Sequence, residues 1–193
     1  GREVYTKYGY DKNGNNTKVI TGNGGNTTTY TYNGLNQVTQ MTYPSGKSET
    51  YEYDSEGNLN KKIDRNGTTF TYEYNSLGKG VSESAVNSGK RQTKSYEYAP
   101  TGAMIRAVNE NIDITYQYNE RGLQSSERYK IGDVYYDKHS SYDTLGNLKR
   151  YEVWQGKVKS YEQLGTAHKT VIADYAYDVR GRMTQASEVD KNG

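Results

Sequence analysis

Polar and apolar positions alternate in short runs down this chain, and each run stops at a turn signal. In Thr50-Tyr51-Glu52-Tyr53 the two rings fall on one face and the carboxylate on the other, as a half-buried strand requires. Asp54-Ser55-Glu56-Gly57 follows, with Asp first and Gly fourth, the signature of a type I turn whose carboxylate accepts a backbone N–H two residues on. Leu59 to Asp64 reads as the returning strand. Arg65-Asn66-Gly67 is a second turn, and Thr68 to Tyr72 opens the next strand with β-branched and aromatic residues. No stretch sustains a 3.6-residue period, so no helix is predicted.

The pattern repeats. The tyrosine doublets are Tyr8/Tyr10, Tyr30/Tyr32, Tyr51/Tyr53, Tyr72/Tyr74, Tyr96/Tyr98, Tyr116/Tyr118 and Tyr175/Tyr177, and Ser140 takes the first place beside Tyr142. From one second tyrosine to the next the steps are 22, 21, 21, 24, 20, 24 and 35 residues. A fixed period of this size marks an array in which each unit packs mainly on its neighbours. First-turn glycines are Gly14, Gly57, Gly78, Gly102, Gly122, Gly146 and Gly181, with Asn36 in the second copy. Second-turn glycines are Gly25, Gly46, Gly67, Gly89, Gly132, Gly156 and Gly193, with Asn111 serving the fifth copy. Each unit is therefore predicted to be a β-hairpin stitched to the next. The last interval is long: Gly156 arrives on schedule, and ~14 extra residues then lie within 157–176. Thr170 to Tyr175 reads as a strand there and Tyr161 to Lys169 as a loop or extra turn, a natural contact point. The whole of 1–193 reads as one all-β array.

Composition changes the picture in one respect. Leu, Ile, Val and Phe supply 27 of 193 residues, a level that by itself suggests disorder, yet the formal charge is only +2 and 22 tyrosines take the place of aliphatic side chains. A tyrosine ring buries apolar area while its hydroxyl stays hydrogen-bonded. There is no cysteine, hence no disulfide framework or thiolate metal site. No apolar run approaches a membrane span, and no signal peptide is evident. Both ends, Gly1-Arg2-Glu3 and Lys191-Asn192-Gly193, fall inside the pattern, so the chain reads as a piece of a longer protein.

Tyr-x-Tyr-Asp-x-x-Gly-Asn/Arg-Leu/Met is the pattern by which this chain resembles the YD-repeat, or Rhs, family. The best copies are Tyr51-Glu52-Tyr53-Asp54-Ser55-Glu56-Gly57-Asn58-Leu59, Tyr142-Asp143-Thr144-Leu145-Gly146-Asn147-Leu148 and Tyr175-Ala176-Tyr177-Asp178-Val179-Arg180-Gly181-Arg182-Met183. Asp11 holds the turn position in the first copy; Ala99 replaces the Asp in the fifth, and Gly80 and Gln124 stand where Leu is expected. The resemblance implies a continuous sheet strip of about eight ~21-residue hairpins that spirals into a shell. It implies a very large secreted or wall-associated parent, in bacteria a toxin whose shell encloses or carries a C-terminal toxic domain. The expected partner is thus the rest of the same polypeptide. The expected role is structural and non-enzymatic, with no cofactor.

His139 and His168 are the only histidines, ~29 residues apart, with no ligand-spaced motif around them; both are expected to be solvent-exposed. Asp11-Lys12-Asn13-Gly14-Asn15-Asn16 lacks the Gly and Glu of a calcium loop, so Asp11 is a turn former. Glu52, Glu73 and Glu97 would form a column opposite the tyrosines, offset by lysines such as Lys94; a solvated face is expected rather than glycosidase carboxylates. Basic residues are scattered among acids, without the one-sided footprint of a nucleic-acid binder. The tyrosine column can instead stack sugars, which makes a carbohydrate-binding adhesion module the rival function. Asn15, Asn26 and Asn66 are glycan acceptors only in a eukaryotic secretory host. Open strand edges predict edge-to-edge self-association.

Overall fold

The computed structural model describes residues 5–22 and 25–190, so the expected turn glycine Gly193 lies outside the described residues. Contacts divide the chain into two compact units, one ending at Thr93 and one beginning at Lys94. The first holds β1 (Thr6–Tyr10), β2 (Asn16–Thr21), β3 (Asn26–Tyr32), β4 (Val38–Thr42), β5 (Ser48–Tyr53), β6 (Leu59–Ile63), β7 (Thr69–Tyr74) and β8 (Gly80–Asn87). β9 (Lys90–Tyr98) opens the second, which continues with β10 (Met104–Asn109), β11 (Asp113–Tyr118), β12 (Gln124–Ile131), β13 (Val134–Tyr142), β14 (Leu148–Gly156), β15 (Lys169–Tyr177) and β16 (Met183–Asp190). Within each unit strand order is chain order, and neighbours pair antiparallel. The all-β repeat fold expected from the alternation is the fold observed.

Register explains the faces. In the first unit Tyr30 pairs with Met41, which pairs with Glu49; Tyr51 pairs with Lys62, which pairs with Phe70. These side chains share the tyrosine face. The other face carries Thr31, Gln40, Thr50, Ile63 and Thr69 along one row and Glu52, Lys61, Thr71 and Ser84 along the next. The middle residue of the doublet is exposed in these copies, as with Thr31, Glu52 and Glu73, while the flanking tyrosines are half-buried.

Conventional core is nearly absent. Among the described residues the buried apolar side chains are Val153 and Ala173, and the buried polar ones are Glu49, Ser84, Ser126 and Asp137. Stability must come from neighbour-to-neighbour contacts along the sheet rather than from a central cluster.

The insertion is ordered. After β14, single 3-10 turns at Tyr161–Gln163 and Thr166–His168 lead into β15. Tyr161 packs edge-on against Tyr135, ring centres 4.9 Å apart. Gly156 is not the second-turn glycine that its spacing predicts. It closes β14, is not in the left-handed region, and a Cβ there would collide with His168 Cδ2. His168 is accordingly half-buried instead of solvent-exposed. Asn111 is also not left-handed. Its turn is held by Asn109, whose Oδ1 accepts from Asn111 N at 2.9 Å and Ile112 N at 3.0 Å, so no positive φ is needed.

Candidate functional site: the tyrosine and turn ladder

The repeat motif is a set of hydrogen-bonding jobs. At Asp54 the backbone closes twice, with Gly57 N donating to Asp54 O at 3.1 Å and Asp54 N to Asn58 O at 2.9 Å. That geometry places Gly57 at φ +87°, where an L side chain is strained. The same left-handed fourth residue occurs at Gly14, Asn36, Gly78, Gly102, Gly122, Gly146 and Gly181, as expected. The carboxylate does more than the sequence suggests. Asp143 Oδ1 accepts from Leu145 N and Asn147 N, both at 2.9 Å, while Asn147 Nδ2 donates to Oδ2 at 2.9 Å. Asp11 with Asn15, and Asp54 with Asn58, repeat the side-chain bond, and Arg182 Nε makes it to Asp178 at 2.8 Å. The Asn/Arg after the glycine therefore saturates the second carboxylate oxygen. These bonds, led by Asn147, hold the Asp143 carboxyl below the usual carboxylate range, and Asn15 does the same for Asp11. Where Ala99 replaces the Asp, the backbone bonds remain and Thr101 Oγ1 accepts from Ala103 N at 3.5 Å.

The second tyrosine of each doublet has a separate job. Pairing slips by one residue at that tyrosine in every copy: at Tyr10, Tyr32, Tyr53, Tyr74, Tyr98, Tyr118, Tyr142 and Tyr177. The hydroxyl reaches back into the preceding copy. Tyr32 donates to Asn16 O at 2.7 Å, Tyr53 to Val38 O at 2.8 Å, Tyr74 to Leu59 O at 2.8 Å, Tyr118 to Met104 O at 2.7 Å and Tyr142 to Gln124 O at 2.7 Å. Each accepting residue is the register partner of the preceding copy's second tyrosine: Asn16 of Tyr10, Val38 of Tyr32, Leu59 of Tyr53, Met104 of Tyr98, Gln124 of Tyr118. A bulge disturbs the local ladder, and a ring from the next hairpin satisfies the carbonyl beside it. Burial raises the phenols of Tyr32 and Tyr74, keeping them protonated donors. The pattern reads these rings as apolar packing and does not show the latch; its one signal is a second tyrosine recurring 14 to 18 residues after the bulge-side carbonyl. Turns also join directly, through Gln37 Nε2 to Gly57 O at 2.8 Å and Arg121 Nη1 to Asp143 O at 2.9 Å.

The first tyrosines serve local packing. Tyr51 donates to Glu49 Oε2 at 2.7 Å, and Tyr43 to Glu49 Oε1 at 2.9 Å, with Lys62 Nζ 3.0 Å away. Burial, then the hydrogen bond to Glu49, raises the Tyr51 phenol strongly. Tyr8 and Tyr10, on β1, are exposed. Tyr72, Tyr96, Tyr98, Tyr116, Tyr175 and Tyr177 are half-buried on their strands. The glutamate column is not bare: Glu52 meets Lys61 at 2.8 Å and Glu97 meets Arg106 at 2.9 Å, so cross-strand cations replace the expected like-charge stacking.

In the second unit the face opposite the tyrosines carries a denser network. Buried Asp137 holds Arg128 at 3.0 Å and lies 2.8 Å from His139, whose ring meets Trp154 edge-on. Lys169 lies over Trp154 and 2.7 Å from Glu152, which also meets Arg150 at 3.2 Å. Hydrogen bonding from Lys169 lowers the Glu152 carboxyl. The two histidines are not brought together on a common ligand set, and no group of three metal-binding side chains occurs among the described residues. No helix among the described residues is long and apolar enough to cross a membrane.

Comparison with known proteins follows this anatomy. Residues 10–48 and 36–69 match the RHS repeat family. No curated protein matches the chain in sequence. The fold matches the crystal structure of TcdB2-TccC3, with a TM-score of 0.76 and 14% identity over 97% of this chain and 11% of that one. It also matches TcdB2-TccC3-TEV (0.68, 18%, 97% and 11%) and a Photorhabdus luminescens Tc holotoxin pore with a TccC3 mutation (0.65, 15%, 94% and 12%). The chain thus spans about a tenth of the length of the chains it resembles. Residues 10–69 carry the sequence of the RHS repeat directly, and the later copies keep the same turn and bulge.

Proposed function

We propose that this array is a wall segment in the shell of a large secreted or cell-wall-associated bacterial toxin, one that encloses or presents a C-terminal toxin domain in contact-dependent competition. The observation that carries this reading is the tyrosine latch. Five copies spend their second hydroxyl on the backbone of the copy before, while among the described residues apolar burial is confined to Val153 and Ala173. Such a chain is built to extend a surface rather than to enclose a small-molecule pocket, so its work is containment and it catalyses nothing. The fold shared with TcdB2-TccC3 supports the shell, and the resemblance supplies the cargo and the extracellular setting.

The test uses the full-length parent protein. Protease treatment should spare the segment after the repeats while the wall is intact and digest it once latches are broken, for instance by Tyr53→Phe with Tyr74→Phe. Digestion at the same rate in both proteins overturns containment. The exposed rings of Tyr8 and Tyr10 favour a second reading, adhesion to cell-wall glycan. Saturable binding of peptidoglycan fragments, lost on Tyr8→Ala and Tyr10→Ala with the fold retained, would select it. Open edges also lead us to expect self-association of the isolated array, and concentration-independent monomers in light scattering would refute that.

A further inference from the structure

We infer that the insertion after β14 builds an anion-binding cleft that takes a phosphate group. The cleft is formed by two separated stretches: the tip of the β12–β13 hairpin, with Lys130 and Asp133, and the start of the insertion, with Lys157, Val158, Lys159 and Gln163. It is open to solvent and offers about 450 Å³, room for a phosphate ester with part of its carrier.

Charge placement sets this cleft apart. Most cations of the second unit are engaged: Arg106 by Glu97 and Asp113, Arg128 by Asp137, Lys138 by Glu127, Arg150 by Asp174 and Glu152, Lys169 by Glu152, Arg182 by Asp178, and Arg121 by a backbone carbonyl. Among the described residues of that unit, the side chains of Lys130, Lys149, Lys157, Lys159 and Arg180 have neither a carboxylate nor a carbonyl partner. Three of those five converge on the cleft, against the single carboxylate of Asp133. Glu162, the nearest other acid in sequence, is drawn to Ser160 and toward Arg128.

The walls are fixed. Tyr135 donates to Lys159 O at 3.0 Å, Lys159 N donates to Gln163 Oε1 at 2.9 Å, and Tyr161 braces Tyr135 from the side. Lys130 Nζ lies 4.9 Å from the centre of the Tyr135 ring. The lysine stems are thus presented by ordered backbone, which lowers the entropy lost on binding. Ammonium groups act on phosphate as point charges, without the planar fork that arginine offers to carboxylate. Two sources present this group: a small phosphorylated metabolite and an anionic phosphate polymer.

The experiment titrates the purified array with pyrophosphate and, separately, with long-chain polyphosphate at physiological salt, reading backbone amide shifts. Both should perturb residues 130–133 and 157–163. Lys130→Gln with Lys157→Gln and Lys159→Gln should weaken binding by about tenfold or more, that is by about 1.4 kcal/mol or more. Lys149→Gln with Arg180→Gln removes unpaired charge elsewhere and should leave it unchanged. Tighter binding of polyphosphate than its phosphate content explains assigns the polymer; equal affinity per phosphate assigns the small ligand. No saturable shift with either probe, or an equal loss from the Lys149/Arg180 pair, overturns the cleft.

Discussion

Gly67 and Gly156 hold the same place in the repeat pattern, and they are glycine for different reasons. Gly67 ends a tight turn at φ +84° with nothing within 4 Å of where a Cβ would stand. Gly156 lies in the strand region of φ and has the His168 ring against it. The first requirement belongs to the backbone and recurs with the period. The second belongs to one contact, made when the insertion folds back on β14. In the regular copies the turn itself dictates the sequence; where the period breaks, tertiary packing has taken over a position that the pattern had already supplied.

The largest expected effect tests that difference directly. Gly156→Ala forces the His168 ring aside, an overpacking cost of about 1–3 kcal/mol in urea unfolding. His168→Ala in the same chain should recover most of it, because the two sites share one contact and are not additive. A Gly156→Ala penalty that His168→Ala leaves untouched would mean that the glycine is needed for its backbone after all. Gly67→Ala should cost about 1–2 kcal/mol through the left-handed conformation alone. No side-chain deletion should rescue it, whereas Gly67→Asn should recover part of the loss, as Asn36 does naturally at φ 60°.

Much of this was legible in the sequence because it depends on residue type at fixed spacing. Tyr-x-Tyr alternation gave the strands, Asp-x-x-Gly gave the turns, and the period gave the order of the sheet. The departures share a cause. Gly156 and Asn111 are read from the period and His168 from the lack of a ligand-spaced motif, and each is governed by a contact that neither encodes: a folded-back ring, a turn held by Asn109, a burial created by the insertion. The lysine cleft was hidden for the same reason, since Lys130 and Lys157 meet only through tertiary structure. The tyrosine latch was hidden differently. Its ring is conspicuous in the pattern, but its acceptor is a backbone carbonyl, which no side chain advertises.

That latch yields a smaller effect that contrasts two tyrosines in one strand. Tyr53→Phe removes one neutral hydrogen bond to Val38 O and should cost about 0.5–1.5 kcal/mol. Tyr51→Phe withdraws one donor from the buried Glu49 carboxylate, which keeps Tyr43 and Lys62, and should cost about 1.5 kcal/mol, the upper end of that range. The distinguishing readout is position. Amide exchange in the Tyr53 variant should rise around Val38, in the preceding copy, whereas the Tyr51 variant should loosen its own hairpin. Equal and local effects from both would remove the latch as the element joining copies.

The smallest effect is acid sensitivity, and it separates turns built on a carboxylate from the one built on Ala99. The Asp143 carboxyl is held below its ordinary value, first by Asn147 and then, against the opposing pull of burial, by backbone N–H groups. The folded turn therefore binds a proton less readily than the unfolded chain. Its contribution is complete above the unfolded value of about 4 and disappears as pH falls through the lower folded value. Between about pH 5 and about pH 2, after correction for the intrinsic acid dependence of exchange, protection of the Asn147 amide should fall, since its acceptor Oδ1 is being protonated. The corresponding amide of Ala103 accepts no such loss, because its side-chain partner is the hydroxyl of Thr101. Asp143→Asn should make the Asn147 amide behave like that of Ala103; the natural Asn119 turn is built this way, with Leu123 N bound to an amide oxygen at 3.0 Å. Parallel loss at Asn147 and Ala103 would place the acid response in the sheet as a whole instead of in the carboxylate turns.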